Sequence, residues 1–280
     1  MSTAAVPPAP APRGARRPGA RVRTAPNRPV LGSAGVLALL LLWEAVPRLG
    51  AVPERHFPPA SEVLATLAER AGTTPFWEAV GHTLFGWALG LAIAFAAAVL
   101  LGFALGSAPR VRAFTTSTVD FLRPIPSVAL IPLAVLMYGT DIRSTLLLVV
   151  YACFWLIYIQ VLYGVADVDP VAEQTALSYG LGRLARIRHV VWPTTLPYLM
   201  TGLRLAASVG LILSITAQLI IGSPGIGQQI TAAQQGGAVA LVYAWIVATG
   251  VLGVVINLGV RALEHRVLRW HTSVRGESAA

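Results

Sequence analysis

Residues 79–106 run for 28 positions without an aspartate, glutamate, lysine or arginine. At 1.5 Å per residue such a helix outreaches the roughly 30 Å hydrocarbon core of a bilayer. A soluble helix of that length would show a charged face to water. Five further apolar segments, at about 30–47, 117–138, 144–165, 195–221 and 239–263, repeat the pattern. Only 12% of residues are charged, about half of what a soluble domain carries. The expected fold class is therefore all-α: a polytopic membrane protein with six transmembrane helices, the lipid bilayer being its first partner.

Charge then gives the sidedness. All 21 basic residues are arginine, and the formal net charge is +9. They cluster between apolar runs rather than on one soluble face, so nucleic acid is not an expected partner. With the N-terminus in the cytoplasm, sixteen arginines fall in inside segments and four, Arg48, Arg55, Arg70 and Arg143, in outside ones. That bias follows the positive-inside rule and places both termini in the cytoplasm. Without a lysine the chain has no conventional P-loop, so it is not itself an ATPase. One cysteine, Cys153, sits in an apolar run and cannot form an intrachain disulfide. His265 and His271 are six apart and do not share a helical face, so no metal site is expected.

Residues 1–28, rich in Ala, Pro and Arg, read as a disordered basic tail. Arg16-Arg17 before the run from Val30 imitates an export signal, but the length of that run and the spans after it favour an uncleaved first helix. Residues 29–78 read as that helix plus an external amphipathic helix, with Ser61 as its N-cap and Val63, Leu64 and Leu67 as its apolar stripe. Residues 79–263 form the main membrane domain, and 264–280 a cytoplasmic tail. Pro124 and Pro126 predict an irregular start to the third span. The glycine-rich loop after 221 carries no charge and is expected to fold back on the bundle.

The cytoplasmic segment 166–193 has an internal grammar. Val171–Ser178 is helix-competent, and Gly180-Leu181-Gly182 breaks the run. A second short run, Arg183–Val191, places Leu184, Ile187 and Val191 on one face, and Pro193 is expected to stop it. An ordinary basic loop is the plainer reading, but the glycine-to-proline spacing argues for a bent helical elbow.

That spacing resembles the cytoplasmic loop of bacterial ABC importer permeases, whose pattern is Glu-Ala-Ala, three residues, Gly, nine residues, Ile, one residue, Leu-Pro. With Gly180 on the family glycine, Gln174, Thr175 and Ala176 fall on Glu-Ala-Ala, Val190 on Ile and Trp192-Pro193 on Leu-Pro. The acid is displaced to Glu173. LLWEAVPRLGAVPERHFPPASEVLATL, FLRPIPSVALIPLAVLMYG, TTLPYLMTGLRLAASVGLILSITAQLI and GSPGIGQQI, collinear over about residues 36–270, resemble the nitrate, sulfonate and taurine branch. The resemblance implies a type I importer permease fold in a bacterial inner membrane, acting as a homodimer with two copies of an ABC ATPase and an external solute-binding protein. ATP and magnesium would stay on the ATPase, leaving no cofactor and no catalytic residue here. Gln174, Thr175, Ala176, Gly180, Arg183, Val190, Trp192 and Pro193 would form the ATPase-coupling loop.

For the solute pathway, Gln160, Gln218, Thr216 and Ser127 are the expected polar lining, with Tyr151 and Ser214 as further in-span polar groups. Gln218 stands where the branch usually has Glu, which predicts a neutral route. Glu44 is expected to reach lipid headgroups beside Trp43, and Arg204 to snorkel or pair within the bundle. Gly86, Gly90, Gly102 and Gly106, spaced by four, predict close approach of the second span to another helix. An ion-coupled secondary transporter is the alternative, disfavoured because Glu44 and Asp120 are the only in-span acids and lie near span ends.

Overall fold

The computed structural model describes residues 28–106 and 117–270. The described part is helical: α1 Arg28–Arg48, α2 Ala60–Ala71, α3 Thr74–Gly106, α4 Ile131–Tyr138, α5 Ile142–Ala166, α6 Pro170–Ser178, α7 Arg183–Arg186, α8 Trp192–Ile221, α9 Ile226–Gln235 and α10 Val239–Val267. Five stretches are long and apolar enough to cross a membrane: Leu31–Arg48, Thr74–Gly106, Ile142–Ala166, Arg183–Ile221 and Val239–Val267. The sixth expected span is not one continuous helix. A helical segment at 117–122 ends at Arg123–Pro126, a 3-10 turn follows at Ser127–Leu130, and α4 completes it. Two prolines within three residues remove two backbone donors, so the ladder cannot run through.

Among the described residues, 28–43 belong to one unit and those from Glu44 onward to the other. In the second, α3, α5 and α8 make the core through small residues. A Cβ at Gly90 would meet Val149 Cγ1 at 2.7 Å, and one at Gly102 would meet Val161 Cγ1 at 2.5 Å. The four-residue glycine stripe of the second span is thus its seam with α5. On the other side of α5, Gly202 of α8 lies against Gln160 and Ile157, and Gly210 against Cys153. Cys153 is fully buried and donates its thiol to the Ala206 carbonyl at 3.3 Å. Without a hydrophobic driving force between helices in lipid, such close backbone approach is what dispersion requires.

One capping expectation changes. The N-cap of α2 is Pro59, not Ser61. Ser61 lies inside the first turn, where its N–H and hydroxyl both donate to the Glu44 carboxylate at 2.9 Å, while Arg48 pairs with Glu44 at 2.6 Å. Glu44 therefore caps α2 from another helix. Arg204 pairs with Glu264 of α10, as the in-bundle alternative anticipated. The loop after α8 does fold back: α9 packs on α8, α10 and α3.

Candidate functional sites: a helical elbow and a cationic cleft

The elbow begins at Asp169, whose side chain accepts the Val171 N–H at 2.8 Å and caps α6, with Pro170 in the first turn. It was not singled out in the sequence, although Asp before Pro before a helical run is the signal for it. α6 ends in a Schellman turn: Leu181 N–H donates to Ala176 C=O at 3.0 Å and Gly180 N–H to Leu177 C=O at 2.9 Å. Gly180 has φ +71°, and a Cβ there would touch nothing within 4 Å. Its requirement is conformational, not steric.

Past the turn, Pro193 does not stop the helix. Ile187–Val191 forms a π-helical turn, Trp192 N–H reaching back five residues to Ile187 C=O, and the chain continues into α8. The widened turn accommodates a proline that cannot donate to the preceding ladder. Thr194 hydroxyl satisfies Val190 C=O at 2.9 Å. The elbow is thus one bend at Gly180 followed by an unbroken lever into the membrane.

Three contacts fasten it. Arg186 and Glu173 pair across the bend at 3.2 Å, so the displaced acid clasps the elbow internally. Tyr198 hydroxyl donates to Asp167 at 2.8 Å. Trp192 stacks on Phe103 at the end of α3, centroids 5.5 Å apart. Ala176 is buried, while Gln174, Thr175 and Arg183 are exposed and Val190 and Pro193 half-buried. Leu184 does not share a covered face with Ile187 and Val191: it is 80% exposed, in company with Val171, Leu177 and Tyr179. An elbow with four exposed large apolar side chains presents a surface for a partner.

The second feature is a cleft of about 400 Å³ between the broken third span, α5 and α8. Arg123, Ser127, Tyr151, Trp155, Gln160 and Tyr163 supply its polar wall. Ser127 and Gln160 both stand in this wall. Tyr151 hydroxyl donates to the Leu122 carbonyl at 2.5 Å, satisfying one acceptor freed by the proline break. Non-helical backbone at membrane depth is tolerated where it is buried in protein or lines a wet cavity.

The other two expected lining residues lie elsewhere. Gln218 is 2% exposed; its Oε1 accepts from Thr83 hydroxyl at 2.9 Å and Gly227 N–H at 3.2 Å, pinning the start of α9. It holds the re-entrant loop and does not line the cleft. Thr216 donates to its own helix at Ile212 C=O. Nor is the cleft neutral, because Arg123 stands in its wall and no acid does. In the sequence Arg123 registered only as one of the inside arginines.

These features can be set beside known proteins. The family described as "Binding-protein-dependent transport system inner membrane component" matches residues 90–269. The taurine transport system permease protein TauC of Escherichia coli (strain K12) is 32% identical over 255 residues, covering 89% of this chain and 93% of the relative. The putative aliphatic sulfonates transport permease protein SsuC of Bacillus subtilis (strain 168) is 26% identical, covering 85% and 86%. The bicarbonate transport system permease protein CmpB of Synechococcus elongatus is 25% identical, covering 86% and 90%. Among solved structures, an inward-facing form of the MetNI methionine ABC transporter matches with TM-score 0.59 at 17% identity, over 69% of this chain and 95% of that one.

Proposed function

The chain belongs to the family of binding-protein-dependent transport system inner membrane components, and from that premise we propose how its elbow and cleft are used. It is a permease subunit of an ABC importer and not an enzyme; ATP is hydrolysed on a separate subunit. Family membership decides against an ion-coupled secondary transporter.

Two copies of this chain would pair, each carrying one ATPase subunit with its ATP and magnesium, and an external binding protein would deliver the solute. Segment 166–193 is the coupling element, with both termini on its side of the membrane. The observation that carries this is the exposed apolar set Val171, Leu177, Tyr179 and Leu184 on an elbow whose lever enters α8 without a break. A push on the elbow is transmitted to α8 as a rigid displacement. Ser127, Gln160 and the rest of the cleft wall form the solute route. The solute is a small molecule with an anionic head of the sulfonate or bicarbonate kind, supported by the names of the relatives and by a cleft with one cation and no acid.

Copurification of the chain with its ATPase tests the coupling role. Gly180→Val should release the ATPase, since a β-branched residue resists φ +71°, whereas Gly180→Asn should retain it. Unchanged copurification of Gly180→Val would defeat the assignment. Uptake of labelled taurine, ethanesulfonate and bicarbonate by vesicles holding the complete complex tests the solute class; uptake of none of the three would defeat it.

A further inference from the structure

The cleft wall gathers polar side chains without protein partners. Arg123 is exposed, and its guanidinium makes no ion pair or hydrogen bond among the described residues. The side chains of Ser127 and Gln160 have no hydrogen-bond partner either among the described residues. All three belong to the wall of one cleft, with Ile125, Leu156, Leu205 and Val209 as its apolar part. The carboxylates of Glu44, Asp167, Glu173 and Glu264 are engaged at Ser61, Tyr198, Arg186 and Arg204. None of them is in the cleft wall.

An arginine near a span is costly unless a counter-charge or water meets it. Spare amide and hydroxyl donors in one wall with a guanidinium and apolar side chains suit an ion with a negative head and a short alkyl body. Resting on the permease reading above, we propose that the cleft is an anion-binding site within the permease itself. Arg123 supplies the charge, and Ser127 and Gln160 supply neutral donors for a sulfonate-type oxyanion. Selectivity for anions would thus be imposed a second time after the binding protein releases its solute. A phosphate headgroup offers the same chemistry, so the test separates a soluble anion from a lipid.

Saturation-transfer NMR on the full chain in phosphatidylcholine nanodiscs, without ATPase or binding protein, reads this directly. Ethanesulfonate should show saturable binding, and neutral ethanesulfonamide should bind at least about tenfold more weakly. Arg123→Gln should weaken ethanesulfonate by about tenfold, and Arg123→Lys by about threefold or less, because charge persists without the bidentate fork. Gln160→Glu, which sets a carboxylate in the same wall, should abolish binding. Wild-type affinity in both Arg123→Gln and Gln160→Glu, equal binding of the sulfonamide, or no binding by the wild-type chain would overturn the proposal. So would a signal that needs phosphatidylglycerol and is not competed by ethanesulfonate, which would make Arg123 a lipid site. Uptake by the complete complex is measured separately, so transport without this binding would leave the permease reading intact.

Discussion

Thr83 of α3 and Gln218 of α8, 135 positions apart, meet in a fully buried hydrogen bond of 2.9 Å. Thr83 Oγ1 also accepts the N–H of Ile226 at 2.9 Å, and Gln218 Oε1 that of Gly227 at 3.2 Å. The two side chains take up the first orphan donors of α9, which no side-chain N-cap satisfies. Gly225 is held at φ +148°, and a Cβ at Gly225 would collide with the Gln218 amide. Two membrane helices and the re-entrant loop are therefore one unit at this point.

Removing either partner should leave a buried N–H unpaired. Thr83→Val and Gln218→Leu are each expected to destabilise the protein by about 1–3 kcal/mol. The double variant should cost less than the sum, because the shared bond is lost only once. Unfolding of the purified chain in detergent, followed by thermal or denaturant titration, measures this. Additive losses would show that the two residues act independently. Gln218→Glu should fold less stably at neutral pH and recover as pH falls, since a buried carboxylate is tolerated best when protonated.

A second expectation concerns helix proximity. A Cβ at Gly164 would lie 2.8 Å from the Cα of Thr195, a backbone atom that cannot move aside. Gly164→Ala should force α5 and α8 apart at the elbow end and cost about 1–3 kcal/mol. Gly250 of α10 has nothing within 4 Å of its Cβ position. Gly250→Ala is then neutral or stabilising by up to ~1 kcal/mol. Comparing the two melting temperatures separates contact from general glycine effects.

The Arg204–Glu264 pair joins α8 to α10, with Glu264 16% and Arg204 42% exposed. Glu264→Gln strands the guanidinium, and with solvent screening allowed for, about 1–3 kcal/mol of stability should go. Arg204→Met with Glu264→Gln should recover much of it, since two neutral side chains need no counter-charge. A double variant less stable than Glu264→Gln alone would mean that packing of the arginine stem, not its charge, is what matters.

What could be read from the sequence follows from periodicity and chain geometry. Apolar length specified five continuous spans, and Gly180 with Pro193 marked the elbow. The glycine stripe at 90 and 102 announced a seam, because a missing Cβ is visible in one dimension. Partners across the fold were not. Gln218 looked like pathway lining because an in-span amide demands a partner; that the partner is Thr83 depends on how α3 packs on α8. Ser61 looked like a cap for the same kind of reason, yet Glu44 reaches it from another helix. Arg123 was hidden among arginines that report sidedness, and only the path of the broken span puts it in the cleft.

The π turn at Ile187–Val191 gives the last prediction. An inserted residue rotates everything before it by about 100° relative to a regular helix, so it sets which side of the elbow Leu184 and Arg183 present. Pro193 holds it there by denying the ladder one N–H. Pro193→Ala returns that donor and lets a regular α-helix compete with the π turn. The elbow should then adopt a mixture of two registers while α8 itself becomes no less stable. Hydrogen exchange at 187–194 should slow relative to wild type. In the assembled complex, solute-stimulated ATP hydrolysis should fall severalfold with melting temperature unchanged, because the lever is intact and its handle is turned. Equal stimulation together with slowed exchange would mean that the coupling surface does not depend on this register.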